Sequence, residues 1–186
     1  MNILNLKCSF SFYILTKINL LNSISNILLK RQIGKENTAI KKQFLKWDAI
    51  EKIAIIIDNT LPVNKSLVDA FCLDTKRYVE VYYIELNLKQ PTFADWKCFT
   101  KKHTTIFNLP KQLYLNELKS KAFNCVINTC HHQNLFAISL QSTLQAPIKC
   151  SDNTNYNQTD LIILKSPSST IISYLNDVIH YLKMIK

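Results

Sequence analysis

The chain has 186 residues, 47% of them apolar, which suffices for one sizeable core but not two. Its formal charge of +10 comes from 21 Lys and only 2 Arg, Arg31 and Arg77, against 13 acids; nucleic-acid sites lean on arginine's planar fork, so this lysine excess argues for solubility and nonspecific attraction rather than a nucleic-acid partner. The single glycine, Gly34, lies upstream of every predicted strand, which excludes a Gly-rich dinucleotide fingerprint, a P-loop and a nucleophile elbow, because each needs glycine where backbone meets phosphate or turns sharply.

Residues 1–34 carry Lys7, Lys17, Lys30 and Arg31 with no acid, and Ile14, Ile18, Leu21 and Leu28 recur at helical spacing beside Leu20, Ile24 and Ile27. The spacing predicts a basic amphipathic helix, an extension preceding one domain over 35–186. Lys17, Asn19, Asn22 and Asn26 interrupt the apolar run, so it falls short of the roughly 20 apolar residues of a membrane span. Two placements remain open for it: packing on its own domain, or lying on an anionic membrane surface, peripheral to an inner membrane. A second helix is predicted at about Asn37 to Trp47, with Lys41, Lys42 and Lys46 on a solvated face.

Strands and helices then alternate. "KIAIIID" (Lys52 to Asp58) is a β-branched run of the kind buried parallel strands show. Ser66 to Arg77 reads as a helix behind a serine cap, and Val79 to Leu86 as a strand closed by Gln90 and Pro91. Lys97 to Phe107 reads as a short strand and an irregular loop to Pro110. Leu115 to Ala122 is predicted as a helix, Phe123 to Thr129 as the second buried strand and Asn134 to Thr143 as a helix. Pro147 to Cys150 and Asp160 to Lys165 are the last strands. The final helix is expected to follow a Ser166 cap with Pro167 at its first position, burying Ile172, Leu175, Ile179 and Leu182.

This alternation predicts a three-layer Rossmann-like α/β fold with a mainly parallel sheet, since right-handed crossovers place helices on both faces. Ligands in such folds lie beyond the carboxyl ends of the strands. The candidate ligand-binding residues are therefore Asp58, Asn59 and Thr60, together with Asn128 and Thr129. Ser151, Asp152, Lys165 and Ser166 stand at the other strand ends.

No catalytic constellation and no cofactor motif is found. Cys125, Cys130, His131 and His132 lack the paired spacing of a zinc site, and nothing marks an orienting group or oxyanion hole for a Cys-His nucleophile. His131 and His132 read as a solvated strand-to-helix loop. Six cysteines without close pairing, and no cleavable signal, predict reduced thiols in a cytoplasm. The patch Lys97, Lys101, Lys102 and His103, with Trp96 and Phe99, is too short to serve single-stranded nucleic acid.

Several stretches resemble a Bacteroidota domain family of unknown function: "IAIIIDNT" (Ile53 to Thr60), "FTKKHTTIF" (Phe99 to Phe107), the segment from Phe123 to Cys150, and the ending from "DLIILK" through "YLNDVIHYLKMI". In that family the central strand resembles "DLLIDL" and a Lys-x-Gly-like turn follows. Here Asn124 and Asn128 stand where acids are usual, and Cys150 where glycine is usual. The resemblance implies a Rossmann-like fold in a bacterial cytoplasm and a copy without those acids. It extends faintly to half of a two-domain sugar-nucleotide glycosyltransferase. The expectation is a non-catalytic binding or scaffold protein; the alternative is a binder or enzyme for a sugar nucleotide or other phosphate ligand at the strand ends.

Overall fold

The run Lys52–Asp58 becomes β1, exposed at Lys52 and buried at every later position. A strand with no polar side must be covered on both faces. The computed structural model, which describes residues 21–34, 42–152, 159–166 and 168–185, shows the covering layers. β2 (Tyr78–Glu85) and β4 (Cys125–Asn128) flank β1, with β3 (Lys97–Thr100) outside β2 and β5 (Ile148–Ser151) and β6 (Leu161–Ile162) beyond β4. All pairings are parallel, in the order β3-β2-β1-β4-β5-β6. The expected three-layer Rossmann-like α/β architecture is the observed one.

In register, Ile55 stands opposite Val81 on one side and Ile127 on the other, so side chains alternate between faces in step across the sheet. Ile53, Ile55, Ile57, Tyr83 and Ile127 pack with α2 (Lys65–Asp74) and α5 (Ile171–Met184). Ala54, Ile56, Tyr82, Ile84 and Val126 pack with α3 (Gln112–Lys119) and α4 (Leu135–Thr143). Each isoleucine so withdrawn from water contributes about 1.5–3 kcal/mol.

Residues 21–34 form helix α1, in which Ser25, Leu29 and Ile33 are buried at four-residue steps. Leu29 and Ile33 cluster with Leu109 and Ile138. Ser139 Oγ donates to Gln32 Oε1 at 2.9 Å and Gln32 Nε2 donates to Thr143 Oγ1 at 3.2 Å. α1 thus covers the outer side of α4, which is why every residue of α4 from Phe136 to Thr143 is buried. The docked face is that of Ser25, Leu29 and Ile33, while Leu21 and Ile27 of the expected apolar stripe stay 38% and 53% exposed. Ile14, Ile18 and Leu20 lie outside the described residues. Among the described residues no helix is long and apolar enough to cross a membrane.

Four local expectations are corrected. Residues 42–46 are not helical and only a 3-10 turn, Trp47–Ala49, follows; Leu45 and Trp47 are drawn onto the α2/α5 core, and 35–41 lie outside the described residues. α2 is capped by Asn64 rather than Ser66, its side chain accepting from Leu67 N at 3.2 Å. α5 begins at Ile171 behind a Thr170 cap. Ser166 instead closes a turn, Ser169 N donating to its carbonyl at 2.9 Å, since a serine run offers the backbone local alternatives to helix; Pro167 lies outside the described residues. The last strand is also shorter than expected, pairing only over Leu161–Ile162.

Candidate strand-end ligand site

The strand order reverses between β1 and β4: the chain passes outward to β2 and β3 from one, and to β5 and β6 from the other. In open parallel sheets this switch point is where a crevice forms, because the connections leave the two strand ends toward opposite faces. Two cavities lie here. One, of about 720 Å³, is lined by Thr60, Leu61, His131, His132, Asp152, Lys165, Ser166 and Ser169. The other, of about 590 Å³, reaches Asn22 and Ser25 of α1, Asn59 and Asn87 beyond β1 and β2, and Phe107 and Asn108. Thr60, Gln133 and Asn134 line both, so the two are lobes of one crevice with a shared wall.

Asp58, Asn59 and Thr60 are brought together at this wall. Asp58, 4% exposed, accepts through Oδ1 from the Thr60 amide and hydroxyl and through Oδ2 from Asn134 Nδ2 at 2.7 Å. Asn134 in turn caps α4, accepting from Ala137 N at 3.0 Å. One carboxylate therefore closes the turn after β1 and aims the first turn of α4. Asn59 Nδ2 donates to Asn87 Oδ1 at 3.0 Å at the rim.

Asn128 and Thr129 lie beside Asp58 in the fold but line neither cavity. Asn128 Nδ2 donates to Gln141 Oε1 at 2.8 Å and its Oδ1 accepts from Cys130 N at 2.9 Å. Thr129 donates twice to the Ile56 carbonyl, from its amide at 2.9 Å and its hydroxyl at 3.0 Å. Buried and satisfied in this way, they rivet β4 to β1 and α4. Asn124 and Cys150 are also structural: Asn124 Oδ1 accepts from Lys52 N at 2.8 Å, and Cys150 is fully buried with its Sγ 3.8 Å from that of Cys125.

Among the described residues the crevice is lined by one lysine, in the larger lobe. Lys165 Nζ donates to the Thr129 carbonyl, lies 3.9 Å from Asp152 Oδ2 and stands over the Tyr174 ring at 4.8 Å. At 3.9 Å the pair is electrostatic without a hydrogen bond, so the ammonium keeps donors for a further acceptor. The exposed His131 and His132 rings meet at 4.0 Å across from it. Cys130 sits beneath, and burial, reinforced by Asp58, pushes its thiol well above the usual range, which keeps it a hydrophobe rather than a nucleophile. Among the described residues no cluster of three or more His, Cys, Asp or Glu side chains is placed to hold a metal.

Lys165 and Asp152 were marked in sequence only as strand ends. His131 and His132 were assigned to a solvated loop, and that loop proves to be a cavity wall. Nothing local could single out Asn22, which reaches the crevice only because α1 docks across α4, or Asn108, which the loop between β3 and α3 carries there.

A family model, described as a family of unknown function (DUF6913), matches residues 23–185, from the first turns of α1 through α5. No curated protein and no solved structure matches the chain.

Proposed function

The chain belongs to the DUF6913 family, and on that premise we propose that it is a non-catalytic binding protein for a small ligand bearing an anionic group, held in the crevice between the ends of β1 and β4. The observation that carries this reading is the shared wall: Thr60, Gln133 and Asn134 divide a built cavity into two lobes at the switch point. Binding is favoured over chemistry because the reactive groups nearby are occupied. Both Asp58 oxygens accept hydrogen bonds, and the Cys130 thiol is held protonated by burial.

An anionic group suits the larger lobe. Lys165 is the one full cation among its described lining residues, Ser166 and Ser169 offer hydroxyls, and α4 and α5 begin beside the lining residues Asn134 and Ser169, where helix N-termini favour negative charge. We place the protein in a bacterial cytoplasm, a reading supported by its family resemblance and by Cys125 and Cys150, which approach as free thiols.

The test is thermal denaturation of the intact chain with inorganic phosphate, sugar phosphates and nucleotides. A ligand present at about 100 to 1,000 times its Kd stabilises by about 2.7–4.1 kcal/mol, and Lys165→Gln is expected to remove most of that gain. A panel in which no compound raises the melting temperature overturns the proposal.

A further inference from the structure

The smaller lobe carries a different chemistry from the larger. Among the described residues no lysine, arginine or histidine lines it, and the one carboxylate among them, Asp58, has both oxygens engaged. Its polar surface is mainly carboxamide: Asn22 from α1, Asn59 and Asn87 past β1 and β2, Asn108 from the loop after β3, and Gln133 and Asn134 before α4. A charged group placed here would lose its hydration without gaining a counter-charge.

A carboxamide offers donors and an acceptor side by side, as a hydroxyl does on a smaller scale. The ligand that satisfies such groups arriving from five separate segments is one with hydroxyls distributed around its perimeter. A nucleobase is a poorer match, since it concentrates hydrogen bonding on its edges and wants aromatic or apolar cover on its flat faces. Among the described residues only Phe107 supplies a half-exposed ring here, Phe136 being 1% exposed and packed against Phe99. A single ring facing a polar wall suits a pyranose, which has one apolar CH face. At about 590 Å³ the lobe is within the range of small-molecule sites.

We propose that the Asn22–Asn59–Asn87–Asn108 lobe binds an uncharged pyranose ring. The proposal rests on the crevice being a ligand site, and it adds that the ligand couples a neutral sugar to the anionic group of the larger lobe. Its test uses uncharged probes only, so failure of the anion reading leaves the sugar assignment itself standing.

The experiment is saturation-transfer NMR on the intact chain with methyl glucoside, methyl galactoside and N-acetylglucosamine at millimolar concentration, with uridine and adenosine as comparison probes. The expected result is transfer to the ring protons of at least one sugar, lost in the double variant Asn59→Leu with Asn87→Leu, both of which replace rim side chains. Asn108→Gly is the second variant: Asn108 has φ 55°, a conformation glycine adopts freely, so the change removes a carboxamide without straining the turn. Reduced transfer in Asn108→Gly supports the assignment even if the double variant misfolds. Transfer to the nucleosides alone, to no probe, or to a sugar equally in wild type and both variants overturns it.

Discussion

His103 joins the 3-10 turn after β3 to α3. Its Nδ1 accepts from the Thr100 amide at 2.8 Å, and its ring meets Tyr114 at 4.6 Å and Phe99 at 5.6 Å. Burial pushes its pKa below the ordinary 6.5, Lys102 and Lys111 add to the depression, and the Thr100 carbonyl, 3.3 Å from Nδ1 and able to accept from the protonated ring, opposes it. The folded state therefore holds this proton less tightly than the unfolded chain. The stabilisation is fully present above about 6.5 and is lost as pH falls toward the lower folded-state value. Urea midpoints measured between pH 7 and 5 should fall for the wild type, and His103→Gln should be less stable at pH 7 but show a shallower decline. Equal slopes would reject the assignment. At this scale an acid ending an apolar run draws notice to Asp58, which lines the smaller lobe. Asn128 and Thr129 line neither cavity, because a polar pair at a strand end looks the same in sequence whether it faces a cavity or rivets two strands.

Among the elements, α1 has the largest consequence. Its helical periodicity is legible in sequence but its docked face is not: the expected stripe runs through Leu21, Ile24, Ile27 and Leu28, whereas Leu29 and Ile33 are the residues buried in the protein groove. The groove is formed by Leu109 and Ile138, which approach only after the sheet is assembled. Leu29 is fully buried, so Leu29→Ala should cost about 2–5 kcal/mol in denaturant unfolding. A cost within about 0.5 kcal/mol, as surface positions show, would mean that α1 is undocked in solution. Segment ends were the least legible features. Asn64 and Thr170 take the caps expected of Ser66 and Ser166, because in runs rich in serine, threonine and asparagine many side chains can accept the same amides and tertiary packing selects one. The stretch before β1 failed as a helix because Leu45 and Trp47 bury in the core, a contact no local pattern records.

For the whole molecule, the two core clusters lie on opposite faces of one sheet and share its strands, β1 and β4 contributing alternate residues to each. Losing either cluster exposes the other, so near-UV and far-UV circular dichroism should report a single coincident unfolding transition. Two resolved steps would show that the layers are separable. The architecture was legible because buried parallel strands alternating with helices allow few other arrangements, whereas the crevice draws its walls from segments more than a hundred residues apart and so had only the strand-end rule to indicate it. The double donation of Thr129 to the Ile56 carbonyl, with Asn128 tied to Gln141, has a kinetic consequence. With the seam between the central strands pinned, the proposed ligand would meet a crevice whose supporting strands are already in their final shape. Little ordering entropy is then lost on complex formation, and encounter should proceed by rapid collision, with differences among congeners expressed in how long each one stays.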